Sequence, residues 1–459
     1  MNHTTKNASP FETEPLGKLI AKFAIPCVIS LLVNALYNIV DQIFIGRGVG
    51  YLANGATNVV FPITIIALAF ALLIGDGGAA YLSLKLGERN MEQAKRGVGN
   101  SIVMVSTIGI LLMLIDYISM TPLLYIFGAT DKLLPYALDY GYIIVIGLPF
   151  TMISTALNSI IRADGSPKFA MLSMITGAVM NTVLDPIFIF VFGMGVKGAA
   201  IATIAGQIAS FIISVIYVTR FKSVKICRNC FKLHAQTCVS VLSLGISSFI
   251  TQLSIVVVMA VTNNLLGIYG ANSIYGAEIP LTVMGIVMKV NQILISILVG
   301  IAAGTQPIIG FNYGAKNYAR VKKAFLTATA AAEIITVIAF ILFQFFPMGI
   351  ISMFGSEDGL YNEFAIKCFR IFLLFCILNG FQTVSSIYLQ AVGKPVKAAI
   401  LSLSRQIVFL VPAAIILPMF IGVEGVLWSG PVADGLAFLL ALIFIIYEMR
   451  QLKQRGGIN

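Results

Sequence analysis

The stretch PCVISLLVNALYNIVDQIFIG, residues 26–46, is 21 residues long and carries one charge, Asp41. Coiled as an α-helix it is about 30 Å long, the thickness of the hydrocarbon core of a bilayer. A helix so apolar around most of its circumference belongs in a membrane or a large buried core. Its polar members keep a helical period: Asn34, Asn38 and Asp41 fall at i, i+4 and i+7, on one stripe. In lipid that stripe has to face protein or water.

The rest of the chain decides between membrane and core. Of 459 residues, 58% are hydrophobic and 11% charged, and the mean hydropathy is +0.95. Soluble domains carry about 25% charged residues. Twelve apolar runs, at 17–45, 54–84, 97–117, 135–160, 168–191, 197–219, 237–265, 274–308, 319–344, 364–390, 396–419 and 425–448, predict an all-α polytopic membrane protein with twelve spanning helices. Spans two and eight are long for a single crossing and are read as tilted or extending beyond the bilayer. The runs far exceed a barrel strand, and helices satisfy every backbone group within themselves.

The polar start, MNHTTKNASPFETEPLGK, has neither the apolar region nor the cleavage site of a signal peptide, so the first span is expected to stay in the mature chain. With loops assigned to alternate sides, 22 Lys and Arg fall on the side of both termini, Lys6 and Arg89 among them, and only Arg47, Lys132, Lys197 and Lys367 on the other. This bias places both termini in the cytoplasm of a plasma-membrane protein. The net charge of +11 then faces anionic lipid headgroups, and no nucleic-acid partner is needed to explain it.

Internal similarity divides the chain. RADGSPKFAML from Arg162 matches QAVGKPVKAAI from Gln390 at a shift of 228, pairing Gly165 with Gly393 and Pro167 with Pro395. GVKGA from Gly195 matches GVEGV from Gly422 at 227, and GERNMEQAKR from Gly87 matches GAKNYARVKK from Gly314 at 227. Three matches in the same order predict two six-helix lobes of like orientation, 1–220 and 237–459, joined by a basic cytoplasmic linker, 221–236. The substrate path is expected between the lobes near the midplane, with Asn34, Tyr37, Asn38, Asn158, Met174, Gln207, Met284 and Met288 as cavity candidates.

Ionisable residues within spans are costly and are functional candidates by default. They are Asp41, Asp76, Asp116, Asp185, Glu278, Glu333 and Asp434, with Lys289, Arg370 and Arg405. Asn181 and Asp185 are four apart on the fifth span, Thr203 and Gln207 four apart on the sixth, and Thr151, Thr155 and Asn158 form a stripe on the fourth. With the stripe on the first span these suggest one polar cluster inside the N-terminal lobe. A carboxylate withdrawn from water there holds a proton or a cation, so the two compete. Asn, Thr and Gln residues also tie helices together in membranes, whereas Asp41 and Asp185 do so only at greater desolvation cost. Lys289 and Arg405 either contact ligand or neutralise nearby acids. Pro26 removes a backbone donor inside the first helix and makes a bending point.

Other chemistries find little here. Cys227, Cys230, His234 and Cys238 have the spacing C-x2-C-x3-H-x3-C that a zinc site could use, but nothing else in the chain supports a metal, and they are read as reduced thiols. GFNYGAK at Gly310 lacks the phosphate-loop spacing of an ATP-driven pump. Two histidines and no nucleophile constellation leave an intramembrane enzyme little to work with. No cofactor is expected.

The segments PCVISLLVNALYNIVDQIFIG, RADGSPK and NTVLDPIFIF (residues 181–190) together resemble the multidrug and toxic compound extrusion (MATE) family, in its DinF-like and MepA-like branch. The resemblance runs through all twelve spans. It implies a V-shaped pair of lobes alternating between inward-open and outward-open states, and a drug antiporter driven by inward H+ or Na+. It also implies a coupling site on the first, fifth and sixth helices, which falls here on Asp41, Asn181, Asp185, Ala199 and Thr203. The NorM branch keeps acidic residues on the seventh and tenth helices, where this chain has none, so coupling is expected in the N-terminal lobe alone. A monomer working on small-molecule drugs among membrane lipids is the implied assembly. The nearest rival is a lipid-linked sugar or polysaccharide flippase of the same architecture, which would need more cationic groups in its cavity. A channel or receptor has no filter or ligand domain to point to.

Overall fold

The computed structural model describes residues 10–49, 51–276, 278–354 and 359–456. Lys6 and the rest of residues 1–9 lie outside them. Among the described residues there is no strand, and twelve helices are long and apolar enough to cross a membrane. They are α1 (Leu16–Gly48), α2 (Tyr51–Gly87), α3 (Met91–Ile118), α4 (Leu134–Ala163), α5 (Pro167–Val191) and α6 (Gly195–Val218). The second set is α7 (Ala235–Ala271), α8 (Glu278–Gly314), α9 (Tyr318–Phe345), α10 (Leu360–Ala391), α11 (Pro395–Ile421) and α12 (Val423–Gly456).

The expected spans all appear, and the ends that shift have local causes. α3 begins at Met91, six residues before the apolar run, because Asn90 caps it, accepting from the Gln93 amide at 3.1 Å. Its charged first turns hide this start from a hydropathy reading. α8 begins at Glu278 and not at 274, after a turn that includes Gly276 at φ 67°.

Local geometry recurs along the chain with the shift read from the sequence. Asn317 caps α9 as Asn90 caps α3, accepting from the Arg320 amide. The residues just before the two caps, Arg89 and Lys316, both take φ 59°, the left-handed region that side-chain-bearing residues rarely adopt. The short helices Met120–Ile126 and Pro347–Phe354 begin at equivalent places (347 − 120 = 227).

Three spans are interrupted. In α5 the helix passes into a π-turn, Ile187–Val191, directly after Pro186, whose missing N–H breaks the regular ladder. α11 contains a longer π-helical segment, Ser404–Leu410. In α10 the helix Leu360–Phe372 gives way to a 3-10 turn, Cys376–Leu378, and resumes at Asn379. α1 by contrast runs unbroken through Pro26, whose carbonyl accepts from Ser30 Oγ at 2.7 Å.

Within the N-terminal six helices a large apolar core runs from Ile45 and Val60 to Met152 and Ala200, with a smaller cluster of Leu157, Ile161, Ala170 and Tyr217 beside it. A second core fills the C-terminal six and takes in Leu19, Phe23 and Ala24 of α1 and Ala79 and Leu82 of α2. The two sets therefore meet along α1 and α2 on one side and α7 and α8 on the other. The approach is backbone to backbone. A Cβ on Gly77 would stand 2.1 Å from the Val241 carbonyl oxygen, and one on Gly304, 227 residues later, 2.6 Å from Ala24 Cα. Small residues permit this closeness between helices in a membrane. The seam lies toward the end of the bundle that carries the Arg89 and Lys316 turns.

Candidate cation site

The site is built on α1, α5 and α6, joined at one end of α4. α5 and α6 approach closely where a Cβ on Gly206 would stand 2.5 Å from the Gly177 carbonyl oxygen and 3.2 Å from Asn181 Cβ. One turn further along each helix, Asn181 Nδ2 donates to Thr203 Oγ1 at 3.2 Å and to Asp185 Oδ1 at 3.3 Å. The i, i+4 spacing of Asn181 and Asp185 thus does bring both to one face. Asn181, Asp185 and Ala199 are buried, and Thr203 and Asp41 are half-buried.

The carboxyl groups of Asp41 and Asp185 lie within hydrogen-bonding reach of each other. Neither forms an ion pair with a basic side chain among the described residues. Three buried oxygens, Asp41 Oδ1, Asn181 Oδ1 and Asp185 Oδ2, accept no hydrogen bond. Buried acceptors left unsatisfied are costly, and acceptors of carboxylate and amide type suit a hard monovalent cation or, at the carboxylates, a proton.

Tyr140 of α4 reaches Thr203, and with Tyr37 of α1 it stands close enough to both carboxylates to feel their charge. Tyr37 was named from the sequence as a cavity residue. Tyr140 was not, because a tyrosine in the first turns of a span reads as an interfacial anchor.

The other named residues scatter. Asn34 and Asn38 pair with each other, Asn38 Nδ2 donating to the Asn34 carbonyl oxygen at 2.7 Å, and Asn38 is exposed. Asn158 is buried, and its Oδ1, like Gln207 Oε1, accepts nothing. Met174 is half-buried. Met284 is buried within the C-terminal core, and Met288 packs against that core.

Most of the remaining ionisable groups have structural partners. Asp76 accepts from Ser159 Oγ and from Ser248 Oγ, each at 2.8 Å, with Arg162 3.9 Å away, and so links α2 to α4 and to α7 across the seam. Glu333 accepts the Phe381 amide at 2.6 Å and so caps the resumed helix of α10. Arg405 pairs with Asp434. Arg370 donates to the Gln344 carbonyl oxygen. Lys289 is exposed, Asp116 sits in the last turn of α3 and Glu278 in the first of α8.

Comparison with known proteins agrees with this architecture over nearly the full length. The multidrug export protein MepA of Staphylococcus aureus (strain MRSA252) is 25% identical over 441 residues, covering 96% of this chain and 95% of the relative. MepA of Staphylococcus haemolyticus (strain JCSC1435) is 26% identical over 448 residues, with the same coverage of 96% and 95%. A solved outward-facing structure of a multidrug resistance MATE transporter of the MOP superfamily superposes with a TM-score of 0.90 at 25% identity, over 99% of this chain and all of that one. The MatE family model matches residues 26–187 and 247–416, one stretch in each set of six helices. With twelve membrane-crossing helices and both matched stretches lying along them, the chain belongs to the MATE family of membrane transporters and is not an enzyme.

Proposed function

We propose that the chain is a secondary active multidrug exporter, which moves amphipathic, often cationic compounds out of the cell in exchange for inward H+ or Na+. The observation that carries this reading is the carboxylate pair Asp41 and Asp185, in reach of each other, without a basic partner, and ringed by acceptor oxygens that nothing satisfies. Two carboxylates so close cannot both stay charged without a cation or a shared proton. Occupancy by either relieves the repulsion, and Asn181 and Thr203 complete an oxygen shell. An inward monovalent cation releases about 2.3 kcal/mol per 100 mV of inside-negative potential, enough to drive a moderate drug gradient.

The coupling acts through two lobes, 1–220 and 237–459, which rock about the seam while the linker 221–236 keeps them joined. With both termini in the cytoplasm, the seam closes the cytoplasmic side and the drug path opens outward. Pro26 lies on α1 within the seam, between Ala24, which faces Gly304, and Val28, which faces Gly300, so a change of occupancy at the carboxylates further along the helix can be read there as a bend. Asn34, Tyr37, Asn38, Asn158, Met174, Gln207 and Met288 are the proposed lining of the drug path, without Met284, which is enclosed in the C-terminal core, and a monomer in the plasma membrane is the proposed working unit. Export of drugs is also what the names of the MepA relatives state. A lipid-linked sugar or polysaccharide flippase is disfavoured because Arg405, a basic residue within a span of the C-terminal half, is paired with Asp434 and is not free for a pyrophosphate.

The test is efflux of a fluorescent cationic dye from proteoliposomes carrying an imposed proton or sodium gradient. Dye accumulation that collapses with one gradient supports the reading. Dye movement indifferent to both gradients refutes coupled export.

A further inference from the structure

The segment between α6 and α7 carries the cysteine and histidine spacing that the transport reading does not use, and it is not folded as a metal site. Cys238 Sγ donates to Asn100 Oδ1 at 3.3 Å, and the His234 ring pairs with Thr237 at 3.5 Å. Among the described residues no group of three or more His, Cys, Asp or Glu could hold a metal ion.

The segment assembles a dithiol instead. Cys227 and Cys230 flank and enter the 3-10 turn Arg228–Phe231, and both thiols are free. Their sulfurs are 2.6 Å apart, so bond formation at about 2.05 Å needs only a small shift. The turn is fixed from outside by Asn100, fully buried on α3, whose Nδ2 donates to the carbonyl oxygens of Cys230 at 3.1 Å and Lys232 at 3.0 Å. Its Oδ1 accepts the His234 amide at 2.8 Å. Asn100 thus fixes the turn from α3, and within the turn the Cys227 amide donates to Cys230 Sγ at 3.3 Å while Cys227 Sγ accepts the Cys230 amide.

The two thiols differ in the way that a dithiol couple requires. Cys227 is exposed and Cys230 is 3% exposed. A hydrogen bond from Cys230 holds the Cys227 thiol below its ordinary range, with Lys95 adding a little. Burial, then the bond to Cys227, pushes the Cys230 thiol up. The outer sulfur is the better nucleophile at neutral pH, and the inner one is shielded until a bond forms beside it.

From this the geometry points to a reversible thiol–disulfide couple at Cys227 and Cys230, with a low-molecular-weight disulfide of the oxidised-glutathione class as its oxidant. The Cys227 thiolate attacks one sulfur of the oxidant, forming a mixed disulfide and releasing one thiolate. The Cys230 thiolate then attacks Cys227 Sγ, breaking the mixed bond and releasing the second. Two electrons pass to the oxidant, and the two cysteine protons leave with the two released thiols. The bond staples the linker's turn where Asn100 holds it against α3. A cytoplasmic linker, as proposed above, would meet thiol pools in which such bonds are transient and responsive; the chemistry of the purified chain does not depend on that placement.

The experiment uses the purified full chain in detergent, incubated with oxidised glutathione, blocked with N-ethylmaleimide and digested with trypsin without reductant. Cleavage after Lys225, Arg228 and Lys232 leaves Cys227 and Cys230 on separate peptides, which stay joined only through a disulfide. The joined species is expected after oxidation and lost with dithiothreitol. In Cys230→Ser, Cys227 should retain a glutathione adduct, and in Cys227→Ser, Cys230 should remain a free thiol. Maleimide on both cysteines of the oxidised wild type, or a stable glutathione adduct there without the joined species, overturns the proposal. The wild-type result stands whether or not either variant folds.

Discussion

Arg405 Nη2 stands 2.8 Å from Asp434 Oδ1, and Arg405 Nε donates to the same oxygen at 2.8 Å, joining α11 to α12 inside the C-terminal half. That half thus neutralises its own buried charge, whereas Asp41 and Asp185 in the N-terminal half have no basic partner among the described residues. Asp434→Asn should strand a guanidinium and lower stability. Breaking a fully buried pair costs about 3–5 kcal/mol, and the partial exposure of Arg405 brings the expectation down to about 1–3 kcal/mol. The variant is expected to unfold at a lower temperature in detergent while its efflux keeps the wild-type ion dependence. Loss of ion dependence with drug binding intact, in this variant or in Glu333→Gln, would mean that the C-terminal half takes part in coupling.

Asp41→Asn should abolish gradient-driven efflux while the protein still inserts and folds. The amide keeps the shape of the side chain and removes the charge that a cation or proton answers. Efflux by the variant in proteoliposomes at the wild-type rate would show that Asp41 is not part of the coupling.

Sodium and protons should compete at Asp41 and Asp185. Sodium binding to the folded state is expected to raise the thermal midpoint at alkaline pH, with a dependence on concentration set by its affinity. Protons that occupy the same carboxylates should erase the increment as pH falls, and Asp185→Asn should show none at any pH. An increment of equal size in that variant would place the ion elsewhere. Tyr140→Phe, which keeps the carboxylates and removes the hydroxyl beside Thr203, is expected to weaken the sodium effect without abolishing it.

The elements of this site that sequence reveals are those related by helical spacing. Asn181 and Asp185 are one turn apart, so their common face is a property of α5 alone. Asp41 and Asp185 fall in one cluster by their stripes and are named together by the resemblance, but helical spacing cannot join two spans, and it is the packing of α1 on α5 that brings the two carboxyl groups together. The break in α10 is masked by its apolar surroundings: residues 373–378 read LLFCIL, and the mark that follows, Asn379-Gly380, sits inside a run that otherwise reads as one span. What stabilises the resumed helix is the Glu333 carboxylate on its Phe381 amide, 48 residues away. Asp76 is similar, with its serine partners 83 and 172 residues distant. A charge in a span is legible; whether it serves ligand or backbone is settled by contacts no window contains.

Gly77→Val should keep the lobes from meeting as they do here. Its branched side chain would occupy the space of the Val241 carbonyl, a backbone atom that cannot rotate aside. Spin labels placed on either side of the seam are expected to report a longer distance than in the wild type, and drug efflux should fall steeply. An unchanged distance distribution would show that α2 and α7 can separate locally without parting the lobes.

Arg89 and Lys316 hold a positive charge in both copies of a turn whose backbone, at φ 59°, would be less strained with glycine. Their bearing is on biogenesis. A basic residue fixed beside the second span of each half is a topological signal read as the nascent chain enters the bilayer. Each half therefore carries such a basic turn of its own, after its second span, and neither depends on the other half for it.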